Sequence, residues 1–330
     1  MKKIAIIGVG GKTGTMFAFE LKKAAEVLGI GKEKEIEMIN QKRVYIDRDG
    51  RLELFEGKVV KDTEFKKDFQ PDFILLATKN PVGPAIKFYY PKFKGKKIPA
   101  LLIPQNGFSP LEEAKNALKE ILEKEFEKVK IFRLFLFNPI QKKEIKDKIF
   151  ISYSLPIKIA LTQASGQEGI EELIKIFKKS HFDLEVFPKA EAKNLEFSKL
   201  FLNLVGMASS SREFPVREGF SNSEILKEEI EMLKEYIKVV KTAGSKFLNF
   251  SHYPVKFLTH LLELIPTNLL LFFGPLLVKI VREKREEKPK ELDEIEYYNG
   301  AVVKLGKKLG IKTPVNERIY KRAREKLKKD

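Results

Sequence analysis

Lys199 and Asn203 stand four residues apart, so on a helix they share one face. Phe197, Leu200, Phe201, Leu204 and Val205 make the segment around them strongly apolar. A lysine in that setting either carries its ammonium out to water or works at depth. Burial would lower its pKa and make it a usable proton donor. A second group with chemical potential lies near the N-terminus. Gly8-Val9-Gly10-Gly11-Lys12-Thr13-Gly14 follows the apolar run Lys3–Ile7 and precedes helical periodicity over Thr13–Leu28. Glycines there let the chain turn tightly, let a pyrophosphate approach the backbone and let helix pack on sheet. The helix N-terminus adds N–H groups and a positive dipole end. The turn departs from G-x-G-x-x-G: Thr13 stands where the third glycine belongs, and Gly14 implies a one-residue expansion. Gly11-Lys12-Thr13 also matches the end of a nucleotide hydrolase's phosphate loop, but Ile6 occupies the position where that loop needs its first glycine.

These groups need a scaffold, and the hydrophobic pattern supplies one. Glu35–Ile39 reads as a second strand, and Val44–Ile46 with Leu52–Phe55 as a hairpin around Asp49-Gly50. Phe73–Thr78 and Ile98–Pro104 are continuous apolar runs of the kind buried on both sheet faces. Lys130–Phe137, Ile149–Tyr153 and Pro156–Leu161 predict further strands. Beyond Pro188 the strand pattern ends, and helical periodicity takes over in Ala190–Met207, Ser223–Ala243, Val255–Leu264, Asn268–Arg285 and Leu292–Leu309. The expectation is an α/β Rossmann-type domain over residues 1–188 that binds a dinucleotide, followed by an all-α domain over 189–330 for substrate and dimerisation. Cofactor choice is set just past the second strand, where a carboxylate holds the ribose of NAD and cations accept the 2′-phosphate of NADP. Asn40-Gln41-Lys42-Arg43 follows Ile39, and Lys79 ends the Phe73–Thr78 run, which favours NADP; the alternative is that Lys42 and Arg43 merely cap an exposed hairpin.

Composition narrows the function classes. The 330-residue chain is 43% hydrophobic and 33% charged, which suits two globular domains. The absence of cysteine excludes disulfides and thiol catalysis, and three scattered histidines do not make a zinc site. The Lys- and Glu-rich, cysteine-free composition resembles that of thermophile proteins. A net charge of +17 invites a polyanionic partner, but lysines alternate with glutamates, as in Glu112–Lys130 and Lys227–Lys241. That mixture describes solvated helix faces, so no nucleic acid is expected. Leu261–Val281 contains Glu263 and is divided by Pro266 and Pro275, which predicts buried core helices in a cytoplasmic protein with no membrane span.

Separated motifs in a consistent order resemble the ketopantoate reductase family across nearly the whole chain. They are the glycine turn, FILLATKN with Lys79, LLIPQNG with Asn106, KNLEFSKLFLN with Lys199 and Asn203, EIEYYNG with Glu294, and GIKTPVN. The resemblance implies hydride transfer from NADPH to a 2-keto acid. Lys199 would then protonate the developing alkoxide, and Asn203 and Asn106 would position the substrate and the nicotinamide side. Glu294 would hold a substrate hydroxyl or orient Lys199, and Lys79 would lie near the adenosine phosphate. Where the family carries a serine-containing segment for the substrate carboxylate, this chain reads Leu277–Glu283 with no serine. Lys279 or Arg282 could replace it or could be surface charges. Glu291 competes with Glu294, and the apolar Leu269–Leu277 leaves room for a different keto acid. The implied product is pantoate, made for pantothenate and coenzyme A. The rivals are a related 2-hydroxyacid dehydrogenase with a more apolar substrate and a dinucleotide-binding regulator without enzymatic activity. Tyr90 and Lys94 have the spacing of a short-chain dehydrogenase pair, but Pro91 opposes the helix that pair requires.

Overall fold

The computed structural model describes residues 1–65, 69–167, 169–272 and 288–328. By their contacts they divide into two units: Met1–Gln105 with Pro110–Ala192, and Asn106–Ser109 with Lys193–Asp330.

The strands of the first unit are β1 (Lys3–Ile7), β2 (Glu26–Gly31), β3 (Arg43–Arg48), β4 (Arg51–Leu54), β5 (Val59–Lys61), β6 (Phe73–Leu76), β7 (Ala100–Ile103), β8 (Ile131–Leu136), β9 (Gln141–Ile145), β10 (Lys148–Tyr153), β11 (Ile157–Ser165) and β12 (Phe182–Phe187). Eight of them form one sheet in the order β12-β11-β8-β7-β6-β1-β2-β5, parallel except where β11 runs against β8. Its central strands are apolar on both faces. Ile4 and Ile6 of β1 enter one core, and Ala5 and Ile7 enter the other. That two-sided burial explains why such strands read as unbroken apolar runs. The helices of this unit are α1 (Lys12–Leu21), α2 (Glu33–Gln41), α3 (Gly83–Tyr89), α4 (Pro110–Leu122) and α5 (Glu171–Lys178). A second sheet, β4-β3-β10-β9, shares the core that holds α1: Val44, Ile46, Ile149 and Ile151 join Met16, Phe17 and Phe19.

The structure differs from the sequence expectation at two segments. The segment Glu35–Ile39 is not a strand; it lies in α2, because Ile36 and Ile39, three apart, fall on one helix side and Glu35 Oε2 accepts the Lys32 N–H (3.3 Å) at the helix start. The second strand is Glu26–Gly31, whose first half overlaps the end of the helical periodicity read over Thr13–Leu28. Gly29 and Gly31 disguised it. They are there because β2 passes the glycine turn closely, so a Cβ on Gly29 would lie 2.6 Å from Val9 Cγ2. Lys42 and Arg43 therefore stand at the end of α2 and the start of β3, while Lys32 directly follows β2.

The second unit is helical: α6 (Ala192–Leu204), α7 (Met207–Ser211), α8 (Val216–Ser221), α9 (Ser223–Thr242), α10 (Val255–Leu264), α11 (Thr267–Phe272), α12 (Asn299–Lys308) and α13 (Pro314–Lys326). No helix among the described residues is long and apolar enough to cross a membrane. Tyr236 of α9 donates its hydroxyl to the Phe197 carbonyl of α6 (2.7 Å). Asn299 donates to Asn316 (3.0 Å), whose own amide donates to the Met232 carbonyl (3.0 Å) and to Glu235 (2.8 Å). The asparagines of EIEYYNG and GIKTPVN are thus buried structural nodes joining α12 and α13 to α9.

Candidate active site

The glycine turn is built as a close crossing. Gly8 has φ +89, a conformation that favours glycine, and its N–H donates to the Ile30 carbonyl (2.7 Å). A Cβ on Gly14 would lie 2.2 Å from Gly8 O, so Gly14 makes the helix-to-turn contact that an unexpanded motif would place at position 13. Gly10 faces Glu35: a Cβ there would lie 2.5 Å from Glu35 Cβ. Gly11 caps α1 without a side chain, and the first turn of α1, with Lys12 and Thr13, carries no acid. Its leading N–H groups therefore suit an anion.

At the carboxyl ends of β6 and β7 the Gln105 amide donates to the Leu76 and Thr78 carbonyls (2.8 and 2.9 Å). Thr78 Oγ1 and Gln105 Oε1 are buried with no hydrogen-bond partner among the described residues. Orphaned polar atoms beside a phosphate-ready turn fit a bound dinucleotide. Arg133, fully buried in β8, donates to Ile103 O (2.6 Å) and Gln105 O (2.9 Å), anchoring the strand end that leads to Asn106. Its only advance signal was a lone charge in the apolar run Ile131–Phe137.

In the helical unit, Lys199 is 7% exposed on α6. Asn203, one turn on, has its Nδ2 buried without a hydrogen-bond partner among the described residues. Asn106 precedes Gly107 (φ +97) and donates through Nδ2 to Glu294 Oε2 (3.0 Å). The same oxygen accepts the Tyr298 hydroxyl (2.8 Å). Burial first, and then the Glu294 charge, pushes the Tyr298 pKa well above its ordinary value, so Tyr298 is a standing neutral donor. Tyr298 lay within a quoted motif but carried no sequence signal of its own. Glu294 is the one engaged with Asn106, whereas Glu291 is exposed. The C-terminal end of α6 is gripped by Lys290, whose ammonium donates to the Asn203 carbonyl (3.3 Å) and the Val205 carbonyl.

Three further expected residues belong to the first unit, and others lie outside the described residues. Lys42 pairs with Glu144, Arg43 is exposed on β3, and Lys79 is exposed beyond β6. Arg282 and Lys279, with the rest of Leu277–Glu283, lie outside the described residues. Tyr90 is fully buried and donates to the Pro99 carbonyl (3.3 Å), a structural role.

A Rossmann-type unit with an anion-ready glycine turn, followed by a helical unit carrying a buried lysine, defines an NAD(P)-dependent oxidoreductase acting on a CH–OH group. The family model for ketopantoate reductase PanE/ApbA matches residues 4–130, and the model for its C-terminal part matches residues 288–327. The chain belongs to the ketopantoate reductase family. Its fold is similar to that of a PanE/ApbA family ketopantoate reductase from Ralstonia eutropha JMP134, at 16% identity and TM-score 0.72 over 98% of this chain and 97% of that one. It is also similar to D-mandelate dehydrogenase in a ternary structure with NADH and anilino(oxo)acetate, at 19% identity and TM-score 0.70 over 98% and 97% of the chains. A third similar structure is the ketopantoate reductase of Staphylococcus aureus, described as dimeric, at 17% identity and TM-score 0.63 over 98% of each chain. No curated protein matches the sequence.

Proposed function

We propose that this protein reduces a 2-keto acid to the 2-hydroxy acid with NADPH, and that 2-dehydropantoate, reduced to pantoate, is its substrate. One observation carries the proposal: α6 buries Lys199 and, one turn away on the same face, the amide nitrogen of Asn203, which has no hydrogen-bond partner among the described residues. A buried cation with a neighbouring neutral donor serves a carbonyl that becomes an alkoxide, because both stabilise charge that develops only in the transition state. In this scheme Lys199 Nζ gives the proton to the carbonyl oxygen, and the Asn203 amide donates to the substrate. Glu294, held by Asn106 and Tyr298, accepts a substrate hydroxyl. The glycine turn Gly8–Gly14 and the orphaned atoms of Thr78 and Gln105 hold the dinucleotide, which supplies the hydride, and Lys79 lies toward its adenosine side. Lys42 and Arg43 no longer support the choice of NADPH, since they do not follow β2; Lys32 does, and it is a cation where NAD-binding sheets place an acid.

Lys199→Ala should lower kcat by roughly 10²–10⁴-fold, the usual contribution of a general acid. Unchanged turnover would remove Lys199 from this role. The likeness to D-mandelate dehydrogenase favours, as second reading, an aromatic 2-keto acid. Comparing kcat/KM for 2-dehydropantoate, pyruvate and phenylglyoxylate decides between them. If 2-dehydropantoate is no better than pyruvate, the pantoate assignment fails.

A further inference from the structure

The second sheet packs into the core that holds α1. Its strand β9 does something more specific. Lys142 reaches from β9 to the glycine turn, and its ammonium donates to the Gly10 carbonyl (2.9 Å) across 132 residues of sequence. Gly10 is the middle glycine of the turn, the one whose backbone a pyrophosphate approaches. Lys142 is exposed as a residue, yet its contact with the turn is part-buried, and desolvation of the ammonium lowers its pKa. Glu35 and Glu144 are close enough to favour its charge, and Lys42 to oppose it. None of them bonds it. Glu144 is taken by Lys42, Glu35 turns back to the Lys32 N–H, and among the described residues no carboxylate lies within ion-pair distance of Lys142. An ammonium has three N–H donors, and the Gly10 carbonyl uses one. The other two stand at the rim of the turn, beside an α1 N-terminus that has no side-chain cap and no acid in its first turn.

We propose that Lys142 binds a phosphate of the dinucleotide, so that the second sheet completes the cofactor cradle that the glycine turn begins. Tied to Gly10, the ammonium is already placed for phosphate oxygens, and little of its side-chain entropy remains to be lost on binding. The phosphate is either the diphosphate bridge, common to both nicotinamide dinucleotides, or the 2′-phosphate of NADPH. The assignment rests on the dinucleotide-dependent reading above.

The test is titration of NADH and NADPH into the full-length wild type and into Lys142→Gln and Lys142→Arg, followed by calorimetry. Gln retains a donor for the Gly10 carbonyl but lacks the charge; Arg keeps the charge. Loss of a charge-assisted phosphate bond should raise Kd by about tenfold or more in Lys142→Gln, whereas Lys142→Arg should stay within about threefold of wild type. Weakening of both cofactors alike assigns the diphosphate, and weakening of NADPH alone assigns the 2′-phosphate. Wild-type affinity for both in Lys142→Gln overturns the proposal and leaves Lys142 a structural tie. Failure of the wild type itself to bind either dinucleotide would instead sink the functional reading.

Discussion

Glu294 is the point where three side chains meet, and a single oxygen accepts from both Asn106 and Tyr298. Tyr298→Phe removes one donor and leaves the other, so the carboxylate becomes less fixed without losing its anchor. The expected result is a KM for the keto acid raised several-fold with kcat changed by less than about tenfold, read from steady-state rates. Tyr298 should also be silent in the wild-type pH–rate profile. Burial and the Glu294 charge raise its pKa from 10.0, so its ionisation should not appear below pH 10. At this scale helical spacing put Lys199 and Asn203 on one face of an apolar segment without choosing between a snorkelling and a working lysine, and the motifs singled out Asn106 and Glu294. The pairing of Asn106 with Glu294 was not legible, because it joins residues 188 apart. For the same reason Glu291 and Glu294 could not be ranked.

Among the elements, α1 begins at the glycine turn and α6 carries Lys199 and Asn203, and each is held by contacts that substitution can probe. Gly14→Ala would put a Cβ 2.2 Å from Gly8 O, and backbone oxygen cannot swing away as a side chain does. The variant should lose about 1–3 kcal/mol of stability, measured by urea unfolding, together with dinucleotide affinity. At the far end of α6, Glu229 is 1% exposed and accepts the N–H groups of Gly206 (2.6 Å) and Ala208 (3.0 Å). Burial pushes its pKa up to about 7, against the pull of those N–H groups and of Lys290. A carboxyl whose folded pKa exceeds its unfolded value of 4.5 binds more protons folded than unfolded between those limits. Its contribution therefore falls as pH rises from about 4.5 to 7 and is flat above. Glu229→Gln should remove that slope, so that Tm at pH 7.5, taken relative to Tm at pH 5, is a few degrees higher in the variant than in wild type. Leu261–Val281, expected as buried core helices, leaves Leu264, Leu269 and Phe272 exposed among its described residues. Element prediction succeeded at continuous apolar runs such as Phe73–Thr78. It failed at β2, whose glycines serve contact with the turn, and at Glu35–Ile39, where alternation over five residues imitated a strand that α2 displaces.

Across the whole molecule, the net charge of +17 is carried by lysines interleaved with glutamates, and many of these are paired locally, such as Lys61 with Glu33 and Glu37. A positive protein of this kind should show at most weak retention on double-stranded DNA at roughly 0.15 M salt, because interleaved carboxylates break up the adjacent cations that tight phosphate contact needs. Tight, salt-sensitive retention in a gel-shift titration would reopen the nucleic-acid reading. The sequence by itself determined the division into an α/β part and a helical part, the glycine turn with its expanded third position, and the lysine and asparagine on one helix face. Each is a local pattern, written in neighbouring residues as periodicity or spacing. Only the tertiary structure decided which segment is the second strand, which glutamate meets Asn106, and that Lys142 comes to rest on Gly10. Those are contacts between residues far apart in the chain, set by which apolar faces pack together, and no local pattern encodes them.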